Sequence, residues 1–191
     1  WSWDLLHPTD RRGLAQLSVF RGGFTLSAAE AVVDMGGDAD APAVVDVLQS
    51  LIEKSLVRRT TPGRFGFLNS VHAYATRRLQ GERPTPGDDD RELVGTQQRH
   101  WQYFARFDEW DATADKCVEV DNLVEACENA TRAGSRDAAV RCLVLAWAAL
   151  DLTGPISTAL ELVAGVLALD GLDASSEAAA RRVAGNACAR L

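Results

Sequence analysis

Apolar positions along the first eighty residues recur at helical spacing, and the pattern breaks once into short extended runs. Residues 1–6 are apolar and short, and His7-Pro8-Thr9-Asp10 then interrupts them and offers Thr9 or Asp10 as the N-cap of a first helix. Leu14, Leu17 and Phe20 form its stripe, and Arg21-Gly22-Gly23 ends it where glycine admits a left-handed turn. Phe24 is expected to fold back into the core. Residues 27–33 predict a second short helix, closed by Met35-Gly36-Gly37. Pro42 suits the first turn of a third, in which Val44, Val47, Leu48 and Leu51, with Val45 and Ile52 beside them, predict a broad buried face.

Residues 56–60 and 64–68, separated by Thr61-Pro62-Gly63, predict an antiparallel hairpin. Asn69 or Ser70 would cap a fourth helix, with Val71, Tyr74, Ala75 and Leu79 facing inward. Three to four helices and a hairpin in this order predict a winged helix over residues 1–80.

The polar stretch 81–90, with Pro84, Pro86, Gly87 and Asp88-Asp89-Asp90, predicts a linker whose acids favour the positive end of the next helix. Residues 91–191 carry no strand pattern. Val94, Gln97, Trp101 and Phe104 are expected on one helix face, with Tyr103 and Phe107 as further core aromatics. Residues 115–133 predict a helix through Val120, Leu123, Val124, Cys127 and Ala130, stopped at Gly134. Ser135 would cap a helix through Val140, Leu143, Val144, Trp147 and Leu150, apolar nearly all round and so expected to have neighbours on several sides. Gly154-Pro155 turns the chain into Ile156, Leu160, Val163 and Leu167, and Val183, Ala184, Ala187 and Leu191 mark a last helix. Leu143, Trp147, Leu150, Gly154 and Ala159 fit the small-large frame of a tetratricopeptide-like helix pair, which Ala180, Ala184 and Ala187 would restart. The fold class is therefore mainly α: a winged helix followed by antiparallel tetratricopeptide-like helix pairs.

Charge sharpens this division. Residues 1–80 hold nine Lys/Arg against eight Asp/Glu, and residues 81–191 hold eleven against nineteen, within a formal net charge of −7. Neither half has the concentrated basic face that neutralises duplex phosphates. No apolar run approaches the roughly 20 residues of a membrane span, and a cytoplasmic location is expected. Cys117, Cys127, Cys142 and Cys188 are widely spaced without a Cys-x-x-Cys pair, as expected of reduced core thiols, and His7, His72 and His100 are scattered. No Gly-x-x-x-x-Gly-Lys-Ser/Thr loop occurs. The chain begins at Trp1 and ends at Leu191 inside a helical pattern, so it is expected to be a piece of a longer polypeptide, and its open helical stack to favour self-association.

Several ordered blocks carry a resemblance: residues 17–24 (LSVFRGGF), 28–31 (AAEA), 48–57 (LQSLIEKSLV) and 67–75 (FLNSVHAYA). Together they resemble the winged-helix segment of bacterial STAND-type regulatory ATPases, related to the AfsR and MalT activators and distantly to NB-ARC proteins. Residues 121–126 (DNLVEA) resemble a block found after the linker in the same regulators. The resemblance implies a winged helix that packs on an upstream nucleotide-binding domain holding ATP or ADP, and downstream repeats that receive a protein or small-molecule signal. In the NB-ARC branch a Met-His-Asp motif places a histidine near the ADP phosphate. Phe67, Leu68 and Asn69 stand at the matching positions, and leucine cannot donate to a phosphate.

Three functional readings follow. The first is a non-catalytic regulatory segment relaying between such a nucleotide-binding domain and a sensing array, with no cofactor, catalytic or metal residue of its own. The alternative is a DNA-binding winged helix; there the reading helix carries Asp46 and Glu53 against Lys54, leaving Arg58, Arg59 and Arg64 on the hairpin as the phosphate contacts. A hydrolase or transferase built on the carboxylates of residues 108–121 has the least support, because nothing near them supplies a nucleophile.

Overall fold

The computed structural model describes residues 2–36, 41–80, 89–107 and 112–191. They divide into two units, Trp1–His100 and Trp101–Leu191.

The first unit opens with a 3-10 turn, Ser2–Leu5, and then α1 (Pro8–Leu17). His7 is the N-cap, rather than Thr9 or Asp10. Pro8, which has no N–H to satisfy and a φ already set for a helix, starts α1 earlier than the expected caps allow. Asp10 is instead buried against α3 (Val44–Glu53), where its Oδ2 accepts from Lys54 Nζ at 3.0 Å and Ser50 Oγ at 3.1 Å. The chain continues through β1 (Phe24–Thr25) into α2 (Leu26–Val32), whose N-cap Thr25 accepts from the Ala28 N–H at 3.2 Å. Ala43 is the N-cap of α3, so Pro42 stands just ahead of the helix and not in its first turn.

The hairpin comprises β2 (Arg58–Thr61) and β3 (Arg64–Gly66), with Gly63 at φ +77° in the turn. β1 pairs antiparallel with the other side of β3 in the order β1-β3-β2, opposing Phe24 to Phe65. A two-residue strand carries too little periodicity to be read in advance. Leu68 is the N-cap of α4 (Asn69–Leu79) and supplies no capping side chain; Asn69, an expected cap, is already the first helical residue. The core gathers Leu14, Leu17, Phe20, Phe24, Val32, Leu48, Leu51, Val71 and Ala75. α1 and α3 cross closely at Gly13, where an added Cβ would stand 2.6 Å from Val47 Cγ1.

The buried face of α3 is narrower than its sequence suggests. Val47, Leu48 and Leu51 are buried, Val44 and Ile52 are partly covered, and Val45 is 44% exposed.

Of the linker 81–90, residues 81–88 lie outside the described residues, and Asp89 and Asp90 open α5 (Asp89–Phe104). The division between units falls inside this helix. Within the first unit its buried positions are Thr96 and His100, while Val94, expected inside, is 52% exposed. A polar cluster sets that rotation. Arg99 Nε donates to the Val32 carbonyl at 2.6 Å and its Nη2 to Gln16 Oε1 at 2.9 Å. Gln16, fully buried, exchanges two 2.8 Å hydrogen bonds with the Asp34 backbone. Burial lowers the Arg99 pKa, with Asp34 pulling the other way.

The second unit is an array of α6 (Ala112–Arg132), α7 (Arg136–Thr153), α8 (Ile156–Leu167) and α9 (Ala174–Cys188), after the last turn of α5 with buried Trp101 and Phe104. Each of α6 to α9 packs on the next, and α6 also meets α8 and α7 meets α9, as in stacked antiparallel pairs. Gly134 and Gly154, at φ +69° and +65°, make the turns on either side of α7. α7 buries Ala139, Val140, Cys142, Leu143, Leu145, Ala146, Ala149 and Leu150, which matches its apolar circumference, although Trp147 is only partly covered. On α8 the buried stripe is Ala159, Leu162, Val163 and Val166, so Ile156, Leu160 and Leu167 sit at its margins. Leu191, expected on the inner face of the last helix, is 82% exposed beyond the end of α9. α6 carries a buried polar row absent from the sequence expectation: Asn122 Nδ2 donates to Glu119 at 2.6 Å, and Asn129 Nδ2 to Glu125 at 3.0 Å.

Candidate functional site

Two surfaces flank the wing. The first follows the outer side of α3, where the amphipathic pattern leaves Val45, Asp46, Gln49 and Glu53 exposed. At its C-terminal end Ile52, Ser55, Leu56, Val57, Arg58, Arg59 and Leu68 line a groove of about 420 Å³. Its wall is mostly aliphatic. Ser55 holds φ +59° to turn α3 into the wing, aided by Leu56 and Val57 N–H bonds to the Leu51 carbonyl at 2.9 and 3.2 Å. Lys54, the one basic residue at this end of α3, is bound to Asp10. The acidic character of this helix is therefore undiluted.

The second surface is a cleft of about 750 Å³ between the α1–β1 turn, one face of the wing and α4. Arg21, Gly22 and Gly23 form one wall, Arg58, Thr60 and Gly66 another, and Asn69, His72, Thr76 and Arg77 of α4 the third. His72 Nε2 must carry its proton toward the Phe20 carbonyl 3.0 Å away, which fixes the ring, and Phe67 lies 5.6 Å from it, centroid to centroid. Gly23, at φ +97°, lets the turn press on β3: a Cβ there would stand 2.7 Å from the Phe65 carbonyl oxygen.

The three wing arginines do not form one patch. Arg58 alone of the three lines the α4 cleft; it shares the rim of the α3 groove with Arg59, and Arg59 and Arg64 share a further hollow at the wing tip with Leu26 and Phe65. Strand alternation sends successive side chains to opposite faces. Leu68, at the position matched to the NB-ARC histidine, lines the α3 groove and is 48% exposed. Sequence reasoning did not single out Arg21, His72 and Arg77; only the packing of α4 against the turn after α1 brings them beside Arg58.

The other histidines serve structure. His7 Nδ1 lies 2.7 Å from Thr9 Oγ1 at the start of α1, and His100 is fully buried edge-on to Phe20 at 5.2 Å. In the second unit, Glu128, Thr131, Arg132, Thr158, Glu161, Leu162 and Gly165 border a hollow of about 250 Å³ between α6 and α8. All four cysteines are free thiols; Cys127 and Cys142 are buried, Cys117 is partly covered, and Cys188 is exposed and so no core thiol. Burial pushes the Cys127 thiol far up and that of Cys142 up to about 12, so neither is a nucleophile at neutral pH. Of the carboxylate run 108–121, residues 108–111 lie outside the described residues, and the side chain of Asp121 is exposed. Among the described residues no group of His, Cys, Asp or Glu could hold a metal ion, and no helix is long and apolar enough to cross a membrane.

Residues 6–80 match the family model of a winged helix-turn-helix domain. No curated protein and no solved structure matches the chain.

Proposed function

From a winged helix-turn-helix domain at residues 6–80, we propose that this chain is a non-catalytic regulatory segment of a cytoplasmic STAND-type signal-transduction ATPase. The winged helix packs on an upstream nucleotide-binding domain that holds ATP or ADP. The helical array, taken as tetratricopeptide-like, receives a protein or small-molecule signal, and a change in packing between rigid parts carries the response.

One observation carries this reading: the outer side of α3 is aliphatic and acidic. Exposed Val45 and Leu68, with partly covered Ile52, offer apolar area to a protein partner, and Asp46 and Glu53 oppose a phosphate backbone. The ordered sequence blocks that resemble STAND regulators support the identity of the partner.

The DNA-binding alternative has weaker support, since Lys54 is held by Asp10 and the wing arginines are split between faces. The test has two arms. The full-length polypeptide should contain a phosphate-binding loop upstream, and Ile52→Asp combined with Leu68→Asp should accelerate its release of ADP, measured with a fluorescent analogue. Anisotropy with random duplex should show no binding at low salt. Salt-dependent duplex binding that is lost with Arg58→Ala and Arg59→Ala would establish the alternative instead.

A further inference from the structure

We propose that the cleft between the α1–β1 turn, the wing and α4 is a binding site for a small ligand bearing two or more adjacent phosphate groups. This goes beyond the relay reading, which uses the α3 side of the wing.

The charge in the cleft is one-signed. Arg21, Arg58 and Arg77 line it, and no carboxylate does. The side chains of Arg58 and Arg77 are exposed and hold no ion pair or hydrogen bond among the described residues, so their guanidinium groups are available. Each presents a planar fork of donors that matches phosphate oxygens two at a time. Two such groups, with the charge of Arg21 on the facing wall, suit a ligand with several oxygens on neighbouring centres, and about 750 Å³ is far more room than one phosphate fills.

The backbone adds to this. α4 begins at the cleft, which Asn69 lines, and the side chain of its N-cap Leu68 cannot accept a hydrogen bond, so no side chain caps the positive end of the helix. Capping side chains normally occupy that place; at α2 Thr25 does so. Gly22 and Gly23 leave the opposite wall at the level of the main chain. Phe67 and the oriented His72 ring, tilted 48° to one another, supply an aromatic wall for whatever carries the phosphates.

Competing ligands fit less well. A duplex would need the positive surface to continue along the molecule, but the neighbouring outer face of α3 carries Asp46 and Glu53. Of the positions matched to the NB-ARC motif, Leu68, at the histidine's place, lines the groove on the other side of the wing, while Phe67 and Asn69 border this cleft; the cationic groups Arg21, Arg58 and Arg77 all lie outside that motif.

The experiment is calorimetric titration of the whole chain with pyrophosphate and tripolyphosphate at constant ionic strength set by chloride, with amide chemical shifts followed in parallel. Saturable one-to-one binding is expected, with the largest shifts at Gly22, Gly23 and residues 69–71. Arg58→Ala and Arg77→Ala should each weaken it about tenfold or more, the scale of one lost charge-assisted hydrogen bond. Arg59→Ala, on the opposite wing face, should leave it unchanged. All three side chains are exposed, and circular dichroism checks that each variant folds. A response that does not saturate, or an equal loss in all three variants, would overturn the proposal in favour of general charge screening. Tighter binding of hexaglutamate than of tripolyphosphate would reassign the cleft to an acidic peptide, and tighter binding of random duplex would reassign it to nucleic acid.

Discussion

Gln16 illustrates how one buried amide holds several chain segments. Its side chain closes a two-bond ring with the Asp34 backbone and accepts from Arg99, so it fastens the end of α2 and the third turn of α5 to α1. Gln16→Leu keeps the volume but strands the Asp34 N–H and carbonyl and part of the Arg99 guanidinium. A loss of about 2–3 kcal/mol is expected from such unmade buried hydrogen bonds, read as a lower urea midpoint. The cysteines give a second prediction. In the native chain an aromatic disulfide reagent should label exposed Cys188 first and Cys117 more slowly, while Cys127 and Cys142 should react only after unfolding. Native-state labelling of Cys127 at the rate of Cys188 would contradict the packing of α6 on α7.

The contact between α1 and α3 depends on the absence of a single carbon. Gly13→Ala puts a methyl group 2.6 Å from Val47 Cγ1, and overpacking of this kind costs about 1–3 kcal/mol. Val47→Ala alone should also destabilise, by opening a cavity, yet the double variant should recover much of the loss because the new methyl group enters that space. Simple additivity in the denaturation cycle would refute close packing at this crossing. The N-terminus of α9 supplies a pH dependence. Backbone and hydroxyl donors of Ser176 and Ser175 hold the Asp173 carboxyl well below the usual carboxylate range. A depressed folded-state pKa means that the cap is fully present above the unfolded value, near 4, and is lost as pH falls through the folded one. Helicity should therefore decline below about pH 4 by more in the native sequence than in Asp173→Asn, which still caps without titrating.

Over the whole chain, the match to a winged helix-turn-helix domain ends at residue 80, but the first unit extends to His100. Thr96 and His100 of α5 complete its interior, and Arg99 and Glu92 close the polar cluster around Gln16 and Arg12. A fragment of residues 1–80 should consequently unfold at a lower denaturant concentration than one of residues 1–104, and should lose more protection at Gln16 and Val32 in amide exchange. Equal midpoints would mean that α5 contributes nothing to the winged helix.

The elements of this chain were legible because their signals are local. The stripe Leu14, Leu17 and Phe20, the Pro62-Gly63 turn and the Gly154-Pro155 break each follow from the spacing and stereochemistry of a few neighbouring residues. Burial on α3 and α5 was less so. Periodicity shows that a helix has an apolar side, but the rotation of Val45 and Val94 outward depends on polar anchors from elsewhere, Asp10 on Lys54 and Gln16 on Arg99. The α4 cleft was not legible at all. Arg21, Arg58 and Arg77 lie far apart along the chain and carry no motif, and only tertiary packing places three separate segments around one hollow. Local sequence determined the helices and the hairpin because short-range sterics and hydrogen bonding act within a few residues. The faces that meet, and the charges left between them, were decided by the fold because they arise from contacts between segments distant in the sequence.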